Sequence, residues 1–304
     1  MRRGSWAVTV HLYYGVFFGA TGDWEATETL ARTALALADV RQPDAVGPNP
    51  SGNEAAYMLA VACRHRVRSP SDLRKAMQAL TQAEERGKHM LRGVAALRAR
   101  TVTERVALSQ MQAFSCTLLG EDWRVSDDFT MSRTEILEAL DGATHLLEPE
   151  DDDLFKHIVQ KQILYNILVL GTYEFLQNPR IDLDLFQTRE FQDAVATLSA
   201  TRTNKSDRIG LSKVTDSRYR EILLGFGRWV IGDTTEVDVN QLLALIAKAE
   251  ADRTEMPYDT ERYSSLGRAM RDIIHPPSSL SDLRPPEAHV RIVTSIRSLP
   301  GCRQ

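Results

Sequence analysis

The chain has 304 residues, of which 43% are hydrophobic, 26% are charged and 7% are aromatic. This composition is that of a globular protein and excludes collagen-like and low-complexity chains. A chain of this length also buries enough apolar surface to fold without a disulfide or a structural metal. With 37 Lys and Arg against 41 Asp and Glu, the net charge is -4, which excludes a protein that is basic over its whole surface.

Apolar residues recur at spacings of three and four along nearly the whole chain, which is typical of amphipathic helices. The helices come in pairs joined by short turns: 6–20 with 24–39, 53–66 with 70–87, 101–119 with 132–147, 153–177 with 188–200, 216–232 with 238–252, and 259–274 with 286–298. The alternation and hairpin turns that indicate strands are missing from the sequence. We therefore predict an all-α fold of about twelve helices, stacked as antiparallel hairpins in an α-solenoid.

Loop-forming residues divide this series. The segment 40–52 is rich in Pro and Gly, 275–287 is rich in Pro, and 201–216 is polar. We place the one candidate boundary at 201–216, with a helical-hairpin repeat region over 1–200 and a C-terminal helical region over 201–304. The alternative is that the second region continues the first as a single domain.

Three sparse cysteines, Cys63, Cys116 and Cys302, indicate free thiols in a reducing compartment. The start of the chain resembles a signal peptide, but His11 interrupts its apolar run and a Gly-Asp turn leads straight into another helix. The longest apolar stretch, 158–176, includes a lysine and several amides and is expected to be a buried helix. We expect a cytoplasmic protein without a membrane span.

The first hairpin carries small and aromatic residues at fixed positions of its helices and their turn: Gly15, Phe18, Gly22-Asp23-Trp24 and Ala34-Leu35. This series resembles a tetratricopeptide repeat over residues 6–39, and 53–87 resembles it more loosely. Thr27 and Ala31 depart from the family pattern, which prefers Ala and a bulky aromatic there. Successive hairpins are spaced by about 50 residues, whereas the family repeats every 34.

The resemblance implies a helical-repeat scaffold that binds a protein or peptide. Because the sequence also contains no catalytic constellation, we expect a protein without enzymatic activity and without a cofactor. Fold alone does not fix function, so the function depends on the residues of particular sites.

A basic segment extends over residues 64–105, with eleven Lys and Arg against four Asp and Glu. An acidic segment follows over 121–153. One interpretation is that neighbouring hairpins neutralise each other. The alternative function is a nucleocapsid-like protein whose basic segment binds nucleic acid, through Arg64, Arg66, Arg68, Arg74, Lys75, Arg98 and Arg100.

Asp151, Asp152 and Asp153 precede a long helix, where acids complement the helix dipole. An acidic cluster in an all-α chain of this size also resembles class I terpenoid synthases, which bind divalent metal. The second metal motif of that family has only a poor match here, at Asp207, Ser212 and Asp216. We therefore predict no metal site and no enzyme.

The first helix carries more aromatic residues than one helix face can bury. One interpretation is that they pack beneath helix 24–39 and the second hairpin. The other is that Tyr13 and Phe17 stay near solvent and bind a protein partner or a second copy of the chain.

Overall fold

The computed structural model of the chain describes residues 3–41, 50–88, 95–147, 153–202, 216–252 and 257–275. Within these ranges the protein is helical and contains no strand, so the predicted all-α fold is confirmed. The α-helices are α1 (Arg3–Thr21), α2 (Trp24–Arg41), α3 (Pro50–Arg64), α4 (Pro70–Gly87), α5 (Ala95–Leu119), α6 (Arg133–His145), α7 (Asp153–Gln177), α8 (Asp184–Gln187), α9 (Arg189–Arg202), α10 (Asp216–Val230), α11 (Glu236–Glu250) and α12 (Pro257–Ile274).

Two short 3₁₀ turns, Glu121–Trp123 and Asp127–Phe129, lie between α5 and α6. The predicted helices agree with the observed ones to within about three residues at each end, except at the start of α5, which is Ala95 rather than 101. The single-turn helix α8 was not predicted, because four residues are too few to show a helical period. The predicted helix 286–298 lies outside the described residues.

The turn between α1 and α2 is set by glycine and aspartate. Gly22 has a φ of +83°, and its N–H donates to the Gly19 carbonyl oxygen at 3.2 Å. The Asp23 N–H donates to the Phe18 carbonyl oxygen at 2.9 Å, which completes a Schellman motif. Asp23 then caps α2, since its Oδ1 accepts from the Ala26 N–H at 2.9 Å. The Gly-Asp sequence thus ends one helix and begins the next.

Helices α1 to α4 pack in chain order, with α1 on α2 and α3, α2 on α3, and α3 on α4. Small side chains let these helices approach closely, and the following alanines are fully buried: Ala31, Ala34, Ala55, Ala56, Ala60 and Ala76. This part of the protein packs in chain order, which is the order expected for stacked hairpins.

Helices α5 to α12 depart from that order. Helix α5 contributes side chains to two hydrophobic cores: Leu108 packs with α1–α4, whereas Val106 and Phe114 pack with α6–α12. Helix α12 packs against α5 and α7, far from it in the chain. In an open solenoid each hairpin contacts only its sequence neighbours. The contacts of α12 with α5 and α7 are instead long-range, and they differ from the packing of an open solenoid. Buried side chains of this core lie on both sides of the candidate boundary at 201–216.

Candidate interaction surface on the first helix

Helix α1 presents a stripe of exposed aromatic residues to solvent. The exposed fractions are 74% for Trp6, 76% for Tyr13 and 55% for Phe17, and Val10 lies half-buried between them. At 100° per residue, these four positions fall within an arc of about 60° on the helix. Tyr14, 53% exposed, extends the stripe along one side. Side chains from about three helical turns therefore form one continuous apolar surface, which we call the α1 stripe.

The aromatic residues face outward because the opposite face of α1 is built from small residues. A Cβ at Gly15 would lie 2.6 Å from the Sδ of Met58 in α3, and one at Gly19 would lie 3.2 Å from Trp24. Val8, on the same inner side, is only 3% exposed. Only this face permits close packing on α2 and α3. The interpretation that the aromatics are covered by α2 and the second hairpin is therefore wrong for the α1 stripe.

The α1 stripe is both apolar and uncharged. Residues 6–21 include no Asp, Glu, Lys or Arg, and the half-buried His11 donates from Nδ1 to the Ala7 carbonyl oxygen at 2.7 Å. An aromatic side chain covers roughly 150–250 Å2, so the exposed fractions amount to about 500 Å2 on one chain. The largest apolar patch on a typical monomer covers about 300–600 Å2 and is often functional.

Side-chain contacts join the two helices of the hairpin that carries the stripe, and they join this hairpin to the next one. The Thr27 hydroxyl lies within hydrogen-bonding distance of two carbonyl oxygens, that of Asp23 at 2.8 Å and that of Gly15 at 3.3 Å. Thr27 thus joins α2 to α1, which an alanine at this position would not do. Trp24 stacks on His65, which follows α3, with ring centroids 3.8 Å apart. These contacts hold α1, and therefore the α1 stripe, in a fixed position relative to α2 and α3.

The basic segment 64–105 forms many ion pairs. Of the seven residues predicted to bind nucleic acid, at least four lie within 4 Å of a carboxylate. The pairs are Arg64 with Glu104 at 2.5 Å, Arg66 with Glu28, Lys75 with Asp72 at 3.0 Å, and Arg100 with Glu54 at 3.0 Å. These carboxylates belong to α2, α3, α4 and α5 rather than to the acidic segment 121–153, so the predicted source of neutralisation is wrong for these pairs.

The remaining predicted residues are all exposed: Arg68 lies in the turn before α4, Arg74 on α4 and Arg98 on α5. The charges of Arg64, Arg66, Lys75 and Arg100 are opposed by the nearby carboxylates. Nucleic-acid binding by this segment stays a prediction. The ion pairs of Arg64 and Arg100 join different helices and that of Arg66 joins α2 to the turn after α3, whereas the pair of Lys75 lies within α4.

Helix α5 buries a polar network that sequence patterning did not reveal. Polar residues on its buried faces are Thr101, Thr103, Glu104, Ser109, Gln110, Gln112 and Ser115. The Thr103 hydroxyl donates to Gln162 in α7 at 3.0 Å, and the Arg100 guanidinium lies 4.3 Å above the Tyr57 ring in α3. Burial raises the pKa of the Tyr57 hydroxyl. The network joins α3, α5 and α7, and it explains why a polar stretch forms the central helix.

Most of the acidic residues considered as metal ligands lie outside the described residues. Asp151, Asp152, Asp207 and Ser212 lie outside the described residues, and Asp153 and Asp216 begin α7 and α10. Among the residues that the structure describes, no group of three His, Cys, Asp or Glu side chains is arranged to hold a metal ion. In the same part of the chain, no helix is long and apolar enough to cross a membrane.

Comparison with known proteins adds no relative to these observations. No protein-family model matches the chain, and no curated protein or solved structure is significantly similar to it. The tetratricopeptide resemblance therefore stands on its residues alone, and the α1 stripe is the candidate site that the geometry favours.

Proposed function

We propose that the protein is a non-enzymatic helical scaffold of the cytoplasm that binds a protein partner through the α1 stripe. The single observation that carries this proposal is the set of exposed aromatic side chains, Trp6, Tyr13 and Phe17, on one face of α1. Tyr and Trp are enriched at the centres of protein interfaces and supply most of their binding energy.

The surroundings of the stripe favour a protein partner over a charged ligand. Residues 6–21 offer no Lys, Arg, Asp or Glu side chain to an ion or a phosphate. Binding would therefore rest on apolar burial, which stabilises a complex in proportion to the area removed from water. The support from α2 and α3 also favours binding, because a rigid surface loses little conformational entropy when it docks.

The proposal is tested in the cell by removing the apolar character of the stripe. A tagged chain with Tyr13→Glu and Phe17→Glu is compared with the wild-type chain on a native gel of cell extract. Wild-type chain is expected in a discrete complex larger than one chain, and the variant is expected to migrate as the free chain. Circular dichroism of both purified proteins checks that the helix content is unchanged.

Val237→Glu is the matched control. Val237 is 64% exposed near the start of α11, and it is an isolated apolar residue on another helix. This variant is expected to keep the complex. The proposal is contradicted when wild-type chain and the double variant migrate together, or when Val237→Glu has the same effect as the double variant.

A further inference from the structure

We infer that the partner of the α1 stripe is the α1 stripe of a second copy of this chain, in an antiparallel pair about a two-fold axis. This inference rests on the proposed function and names the occupant of that surface. Charge, area and residue spacing support it.

The absence of charge on the stripe suits pairing with itself. In an interface with two-fold symmetry the same surface is used by both subunits, so a charged side chain near the axis meets its own like charge. Residues 6–21 include no Asp, Glu, Lys or Arg, and this repulsion does not arise. An antiparallel arrangement also places the positive end of each helix dipole beside the negative end of the other.

The exposed area is sufficient for a dimer. At roughly 150–250 Å2 for each aromatic side chain, the stripes of two copies together bury about 1,000 Å2. Specific interfaces begin at about this size, and those at the lower end associate weakly. The inferred dimer is therefore expected to dissociate on dilution.

The spacing of the stripe defines one antiparallel register. When the axis passes between residues 11 and 12, Trp6 lies opposite Phe17, and Val10 lies opposite Tyr13. Each Tyr13 ring then lies opposite the small Val10 side chain, which leaves room for it, and the Trp6 ring of one helix packs against the Phe17 ring of the other. A parallel pair would instead place Trp6 against Trp6 and Tyr13 against Tyr13, so bulky rings would compete for the same space.

The first test measures the mass of the purified full-length chain by light scattering between about 1 and 200 µM, a range that covers weak, micromolar association. The mass is expected to rise with concentration toward twice the 34.1 kDa of one chain. Tyr13→Glu with Phe17→Glu is expected to raise the dimer dissociation constant by roughly 100-fold or more, because carboxylates become buried without partners. Val237→Glu is expected to leave it unchanged.

The second test uses disulfide cross-linking and does not depend on introduced charge. Cys116 and Cys302 are replaced by Ser, and Cys63 stays because it is 6% exposed. In the inferred register, the two Val10 positions are offset by about 4.5 Å along the axis and the two Phe17 positions by about 16 Å. Val10→Cys is therefore expected to form a covalent dimer under mild oxidation. Phe17→Cys alone is not, and it is expected to cross-link when mixed with Trp6→Cys.

The two tests separate the inference from the proposed function. A purified chain that is monomeric up to 200 µM overturns the inference. In that case a cellular complex that is lost in the double variant still supports the proposed function, with another protein as partner. A dimer that persists in the double variant, or self-cross-linking by Phe17→Cys, also overturns the inferred pairing. Flotation of the monomeric chain with phosphatidylcholine vesicles would overturn both, because lipid would then be the occupant.

Discussion

The indole ring of Trp24 lies flat against the imidazole ring of His65, with centroids 3.8 Å apart and planes that differ by 3°. Trp24 begins α2 and His65 follows α3, so this stack joins the first hairpin to the turn of the second. The same hairpin carries the α1 stripe on its opposite side. The stack therefore stabilises the helices that hold α1 in place without covering the α1 stripe.

The two tryptophans of this hairpin should differ in their contribution to stability. Trp24→Ala removes the stack and the contact with Gly19, and we expect it to lower the free energy of unfolding by about 2–3 kcal/mol. Trp6 is 74% exposed, and Trp6→Ala is expected to change it by no more than about 0.5 kcal/mol. Urea unfolding followed by circular dichroism measures both. Equal losses would show that the packing of one tryptophan is misassigned.

Two helical glycines provide a matched test of the second core. A Cβ at Gly171 would lie 2.3 Å from the ring of Phe191 and 3.2 Å from that of Phe186, and both rings are fully buried. Gly171→Ala is expected to cost about 1–3 kcal/mol through overpacking. Gly142 is exposed in α6 with no atom within 4 Å of its added Cβ. Gly142→Ala should raise stability by about 0.5–1 kcal/mol, through helix propensity. Thermal unfolding of the two variants should shift in opposite directions.

The buried ion pair between α3 and α5 should matter more than an exposed one. Glu104 is 3% exposed and pairs with Arg64 at 2.5 Å, whereas Glu85 and Lys88 are both exposed. Glu104→Ala leaves a half-buried guanidinium without this carboxylate, and we expect a loss of about 3 kcal/mol. Glu85→Ala is expected to cost at most about 1 kcal/mol. Denaturant unfolding at low and high salt checks this, and a similar cost for both variants would contradict it.

The described cysteines should react slowly with alkylating reagents. Burial raises the pKa of Cys63 to about 11, and Glu28 adds to the shift. Burial and Glu121 likewise raise the pKa of Cys116 to about 11. Because the thiolate is the nucleophile, alkylation at pH 8 should be roughly 100-fold slower than for a thiol of ordinary pKa.

A Cys302→Ser chain isolates these two thiols, and mass spectrometry follows their modification by iodoacetamide over time. Both should react at the ordinary rate after the chain is unfolded in urea. Fast reaction of the folded chain at either cysteine would mean that its environment does not suppress ionisation.

The helices were predictable because each repeats its apolar residues at helical spacing, and because caps mark their starts. Ser132 and Glu135 form the capping box expected from the sequence. The contact between α12 and α5 was not predictable, because periodicity shows which face of a helix is buried but not which helix covers it. The buried polar residues of α5, such as Gln110 and Ser115, were missed because patterning assigns polar residues to the surface.

For the candidate site, the sequence identified the residues but left their exposure open. The number of aromatics in α1 showed that one face could not bury them all. Their outward orientation depends on Gly15 and Gly19 packing against Met58 and Trp24. Helical periodicity alone does not show which face of α1 makes these contacts. The ion pairs of the basic segment are likewise long-range, such as Arg66 with Glu28, and local charge counting does not reveal them.

Site-specific photo-cross-linking in cells shows whether a protein covers the α1 stripe. A photoreactive phenylalanine analogue is placed at Phe17 in the stripe, and at the exposed Val237 on α11 as the control. We expect a discrete protein adduct from position 17 that disappears with Tyr13→Glu, and no such adduct from position 237. Equal labelling from both positions, or no protein adduct from position 17, would contradict it.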